Sequence, residues 1–262
     1  GTLALVSAAM VSWLTPHWMG PKAILEALAL SARMVIPLVA VCACAGVVVG
    51  VIALTGIGAR FASMMLNIAD SSQFLALLFA MMISILLGMG MPTTSAYAVA
   101  ASVIAPGLQQ MGIDPLVAHF FVFYYAVISA ITPPVALASY AAAAIANTDP
   151  LKTSLTSFKF GLAAFVVPFM FFYSPAILMQ GNWLEITRVI ITASIGIYLL
   201  SAAVQAWMFG ALSKPFRLAS LAAGLTMLAG GLITDLIGIL LGALVIGYQL
   251  KMKRSHSQPQ AS

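Results

Sequence analysis

Apolar residues run through this chain in continuous stretches rich in Ala, Leu and Gly, without the alternation of a half-buried strand. Such runs need a solvent other than water. Of 262 residues, 63% are hydrophobic and only 6% are charged, against about a quarter charged in soluble domains. Lipid is therefore the solvent for most of the chain. The missing alternation sets a β-barrel aside, which leaves an all-α polytopic membrane protein. A net charge of +5 would raise nucleic acid as a partner for a soluble protein. Here the basic residues fall singly between apolar runs, the pattern of topology signals, so membrane lipid is the expected partner and nucleic acid is not.

Breakers and charges divide the chain. Residues 1–14 read as the stump of a helix and 21–32 as a short amphipathic helix with Lys22 and Glu26, together a truncated helix and connector over 1–32. A full span follows at 34–55, where Cys42 and Cys44 read as small buried packing residues. Residues 58–72 form an interfacial connection, and 73–88 and 94–110 are two limbs of a hairpin over 73–110. A span over 115–147 is broken at "ITPPVA", and 150–160 is a polar linker. Spans at 161–180 and 184–209, a helical hairpin over 216–250 turning at "GGLITD", and a polar tail complete the order. The chain begins inside an apolar segment, so it is expected to be the C-terminal piece of a longer protein.

Limb length argues for re-entrance. Sixteen helical residues reach roughly 24 Å, short of a hydrocarbon core of about 30 Å. With the tail in the cytoplasm, all of the eleven basic residues except Arg60 and Arg188 fall inside. The 73–110 hairpin then opens outward.

Two motifs carry candidate chemistry, "GMGMPTTS" (Gly88–Ser95) and "SAITPPVALAS" (Ser129–Ser139). Pro92, Pro133 and Pro134 cannot donate the helical hydrogen bond, and they free carbonyls one turn upstream. Gly88 and Gly90 permit backbone that exposes carbonyls. Thr93, Thr94, Ser95 and Thr132 add hydroxyl oxygens. New helix starts at Thr94 and Val135 would present positive dipole ends. Discontinuous helices in transporters use such parts to hold Na⁺ and an anionic substrate. The alternative is a pair of proline kinks between packed helices. His119 and Asp235 are weaker candidates: an interfacial histidine and a helix N-cap at a hairpin turn are the plainer readings. Asp114 and Asp149, each before a proline, read as caps. No G-x-S-x-G, H-E-x-x-H or Walker sequence occurs, so neither an enzyme nor an ATP-driven pump finds support.

"LLGMGMPTTSAY", "APGLQQMGIDPLVAHFFVFYYAVISAITPPVALASYAAAAIA" and "PFMFFYSPAILMQ" resemble the large membrane subunit of TRAP transporters, the DctM-like permeases. The resemblance runs from about Arg33 to Gln180, a transport repeat over 33–180, and 181–262 resembles the C-terminal helices and cytoplasmic tail of long fused permeases. It implies the second inverted repeat of an elevator-type transporter that imports organic anions such as carboxylates with a Na⁺ gradient. It further implies a bacterial inner-membrane location, a TAXI-like periplasmic binding protein as partner, and an upstream part holding the first repeat and the small-subunit region. Na⁺ is the coupling ion, and no other cofactor is implied. Carried over, Gly88, Gly90, Pro92, Thr93, Thr94 and Ser95 with Thr132, Pro133 and Pro134 would form one Na⁺ site and part of the substrate wall. Two other readings stay open. A proton-coupled carrier or channel would need an acid–base pair such as His119 with Asp235, and a non-transporting assembly protein would tolerate alanine at both breaks.

Overall fold

The computed structural model describes residues 2–13 and 20–256, and every element named below is helical. The break expected after the first helix, at 14–19, and the end of the tail lie outside the described residues. α1 spans Thr2–Trp13. α2 spans Pro21–Thr55 as one helix of 35 residues, so the short amphipathic helix and the full span expected here are a single element. The reason is local: nothing between Leu30 and Met34 breaks a helix, and Pro37 is carried inside it, as membrane helices permit.

Gly56, at φ 66°, closes α2 in the left-handed conformation and starts α3 (Ile57–Ser71). The segment Cys42–Thr55 and α3 meet at 67°. The connection expected as interfacial is thus a helix, and it packs closely on the hairpin. A Cβ at Gly107 would stand 3.1 Å from the Ala62 Cα, and one at Gly58 3.3 Å from the Ser102 carbonyl oxygen. Small residues let these backbones approach.

The hairpin is α4 (Gln73–Gly88) and α5 (Thr93–Gln110), packed on each other and joined by Met89–Pro92. Ser72 caps α4 by accepting from the Leu75 amide at 3.4 Å. Asp114 caps α6 (Pro115–Ile128) and Asp149 caps α8 (Pro150–Gly161), each accepting a backbone N–H at 2.8 Å, as their places before proline predict. The broken span is α6, a 3₁₀ turn at Ser129–Ile131, and α7 (Leu137–Ala146).

The expected polar linker over 150–160 is helix α8. Its hydroxyls bond back to their own helix, Thr153 to the Asp149 carbonyl and Thr156 to that of Lys152, both at 2.8 Å. Polarity therefore does not interrupt the helix. A 3₁₀ stretch (Leu162–Val166) leads into α9 (Val167–Tyr173), and Pro150–Tyr173 together is long and apolar enough to cross a membrane. Pro168 has no N–H for the Phe165 carbonyl, and the buried Tyr125 hydroxyl donates to that oxygen at 2.6 Å.

A 3₁₀ turn at Pro175–Leu178 leads to α10 (Trp183–Gln205), α11 (Lys214–Leu228) and α12 (Leu232–His256). Trp183–Gln205 and Leu232–Lys251 are also long and apolar enough to span. The chain is an all-α polytopic membrane protein. α11 and α12 form the expected hairpin, turning at Ala229–Gly231. Glycines bring these three helices together: a Cβ at Gly196 would lie 3.2 Å from the Gly224 carbonyl, and one at Gly238 2.9 Å from that of Ala223. The main core sits elsewhere, where α3 to α6 meet α9 around Met65, Leu77, Ile104, Phe121 and Tyr125.

Candidate functional site

The two sequence breaks touch. Gly88, the last residue of α4, packs on the 3₁₀ turn of the broken span. A Cβ there would come within 2.6 Å of the Ser129 hydroxyl and 3.2 Å of the Ala126 Cα. Only a residue without a side chain fits that approach. Gly90, at φ 77°, turns the chain at the tip, facing the Val135 side chain. Pro92 occupies the N-cap of α5 and offers no side-chain oxygen to the first N–H groups. Thr93 and Thr94 are exposed there, whereas Ser95 is buried. α5 therefore begins one residue earlier than expected.

On the other side Thr132 is buried, and its hydroxyl donates to the Ile128 carbonyl at 2.9 Å. Its oxygen keeps lone pairs for a further partner. Pro133 and Pro134 follow, joined by a cis peptide bond. Pro92 and Pro134 remove the donors that would pair the Gly88 and Ala130 carbonyls in a continuous helix. The Tyr140 hydroxyl donates to the Pro134 carbonyl at 2.6 Å. The second half-helix starts at Leu137, two residues after Val135, because Ala136 takes a left-handed conformation (φ 34°) that holds the turn open.

Several residues join this region that were not among the expected ligands. Ser129 meets Gly88 and donates to the Ala126 carbonyl at 2.6 Å. Ser84, one turn before Gly88, and Ser139, in the first turn of α7, are buried hydroxyls without a hydrogen-bond partner. A serine four residues ahead of the tip glycine was the available signal for Ser84. The Cys42 thiol of α2 lies 3.5 Å from the Ser95 hydroxyl and 3.8 Å from that of Thr94. Both cysteines are exposed, contrary to the buried packing role expected for them. The site side of α2 is open enough to leave that thiol uncovered.

His119 and Asp235 stand with other partners. His119 Nδ1 is 2.8 Å from the Tyr97 hydroxyl and Nε2 is 3.4 Å from Gln109 Nε2, beside an open cavity of about 370 Å³ lined by Tyr97, Leu116, Phe120 and Phe123. Asp235 is not an N-cap. α12 begins at Leu232, and Thr234 takes the Gly231 amide at 3.1 Å. Asp235 instead lies buried in the first turn, its Oδ2 3.6 Å from Arg188 Nη1. Arg188 Nη2 also donates to the Gly230 carbonyl at 3.3 Å. The acid–base pair that a proton-coupled reading needed is thus replaced by two separate pairings.

No match was found among curated proteins or solved structures. The family model described as "Tripartite ATP-independent periplasmic transporter, DctM component" matches residues 1–186. That stretch holds both breaks and extends upstream of the resemblance seen from Arg33, taking in residues 1–32. This is a family of transporter permeases, not of enzymes, whose members work with a substrate-binding protein and small membrane subunits. On this match, joined to two helix breaks in contact, the chain belongs to the DctM component family of tripartite ATP-independent periplasmic (TRAP) transporters.

Proposed function

We propose that this chain forms the second inverted repeat of a Na⁺-coupled permease that imports organic anions such as carboxylates. The reading rests on one observation: Gly88 of the hairpin tip packs on Ser129 of the broken span. In this reading that contact draws the hydroxyls of Thr93, Thr94, Ser95 and Thr132 and the carbonyls freed by Pro92 and Pro134 toward one shared site. Neutral oxygens with few competing donors suit Na⁺, and the open start of α5 suits a carboxylate. In this proposal a TAXI-like periplasmic protein delivers substrate, and an N-terminal part supplies the first repeat and the small-subunit region. The protein lies in the bacterial inner membrane with its C-terminus in the cytoplasm, and the hairpin and broken span travel together in an elevator motion.

The test uses the full-length permease reconstituted with its binding protein. Thr94→Val and Thr132→Val remove a hydroxyl and keep the shape. At least one should raise the Na⁺ concentration for half-maximal uptake by about tenfold, on the order of 1.4 kcal/mol. Unchanged Na⁺ dependence in both would remove the side-chain ligands from this proposal. Equally silent Pro92→Ala and Pro134→Ala variants would remove the site.

A further inference from the structure

Between α4, α9 and the last turn of α11 lies a cavity of about 410 Å³, within the range of ligand sites. Phe74, Leu78 and Met81 line it from α4, at the i, i+4, i+7 spacing of one helix stripe. Phe169 of α9 and Leu225 and Leu228 of α11 face them. The walls offer almost nothing that could hold water by hydrogen bonds, so an aqueous filling is disfavoured. From Phe74 to Met81 the stripe runs roughly 10 Å along the helix axis. That depth fits inside one leaflet of a hydrocarbon core about 30 Å thick.

The Arg188–Asp235 ion pair stands beside one end of the cavity. Ala229 lines it, and the next residue, Gly230, accepts a hydrogen bond from Arg188 Nη2. Gly230 also packs against Ser174, the neighbour of the lining residue Tyr173. Arg188 thus stands one residue beyond the cavity rim. Its side chain is 27% exposed, and a guanidinium has five N–H donors, more than its contacts to Gly230 and Asp235 take up. Tyr173, which lines the cavity, is half exposed, and Trp183, which begins the helix that carries Arg188, is three-quarters exposed. Amphipathic aromatics of this kind sit at the level of lipid headgroups.

We propose that this cavity is a phospholipid site. One acyl chain lies along Phe74, Leu78 and Met81 against Phe169 and Leu228, and the headgroup phosphate meets Arg188. Guanidinium N–H donors left over at the rim after Gly230 and Asp235 are served, walls that match hydrocarbon, and a depth of less than one leaflet select this occupant. A planar, delocalised guanidinium is well suited to phosphate. The site is separate from the two helix breaks and does not depend on the transport reading.

The experiment is native mass spectrometry of the full chain in mild detergent, with added phosphatidylglycerol and, as the phosphate-free comparator, diacylglycerol. One phosphatidylglycerol should be retained. Met81→Trp, which fills the cavity, should lower retention of both lipids at least about fivefold. The charge-neutral pair Arg188→Gln with Asp235→Asn should lower phosphatidylglycerol retention by a similar factor and leave diacylglycerol unchanged. Ala229→Leu is the milder filler should Met81→Trp fail to fold. Equal retention of phosphatidylglycerol by wild type and a folded filler variant overturns the proposal, as does a cross-link placing a protein segment in the cavity. Loss of both lipids in the fillers, with no selective effect of the charge-neutral pair, overturns the assignment of the phosphate to Arg188.

Discussion

The contact of Gly88 with Ser129 is the tightest statement the structure makes about a single residue in the candidate site. A methyl group added at Gly88 meets the Ser129 oxygen at 2.6 Å. Overpacking of that kind costs about 1–3 kcal/mol. Gly88→Ala should lower the melting temperature, and adding Ser129→Ala should restore part of the loss; additive effects in a double-mutant cycle would contradict the contact. Tyr125 makes a second case. Its hydroxyl donates to the Phe165 carbonyl, to which Pro168 offers no N–H. Tyr125→Phe should therefore cost about 0.5–1.5 kcal/mol through loss of this part-buried hydrogen bond, read as a drop in thermal stability. Pro168 was not singled out in the sequence, whereas the glycines and prolines of the two breaks were legible there because their effect on backbone is local. Their partners were not. Ser129 stands 41 residues from Gly88, and Phe165 stands 40 from Tyr125. Only packing brings such pairs together.

At the scale of elements, the sequence located both breaks and both hairpins, because each is marked by Pro or Gly between apolar limbs. It misread α2 and α8 for a shared reason. Charge or polarity in the sequence suggests an interruption, whereas a helix ends only when its backbone hydrogen bonds do. Lys22, Glu26 and Arg33 sit on a helix that runs on to Thr55, and the Ser and Thr residues of α8 satisfy themselves on its own carbonyls. The C-terminal hairpin carries a prediction of this scale. α10, α11 and α12 approach through Gly196, Gly224 and Gly238, where side chains would strike backbone. Gly238→Leu should detach α12 from α11, seen as new protease sensitivity near Gly230–Gly231, while the match region over 1–186 keeps its fold. Cleavage unchanged from wild type would mean that the glycine contacts do not hold the hairpin.

For the whole molecule, the expected sidedness remains a matter for labelling. The Gly230 turn and the start of α10 share one end of the bundle, since Arg188 bonds Gly230, and Lys214 begins α11 at the other end of that helix. Single cysteines at positions 60 and 188 should react with an impermeant maleimide from outside the cell, and those at 152, 214 and 253 should not. Strong outside labelling at 152 without labelling at 188 would reverse the arrangement. Basic residues are the sequence signal for sidedness; they carry none for depth, since a short limb and a full span leave the same charges on the same sides.

That labelling has to begin from a background without the native thiols, and the reason is informative in itself. Cys42 stands against Thr94 and Ser95, so its reactivity follows the spacing between α2 and the hairpin tip. Left in place, it is a built-in gauge: a thiol reagent whose rate changes with added Na⁺ or substrate would time the sliding of one helix past another in an otherwise unlabelled protein.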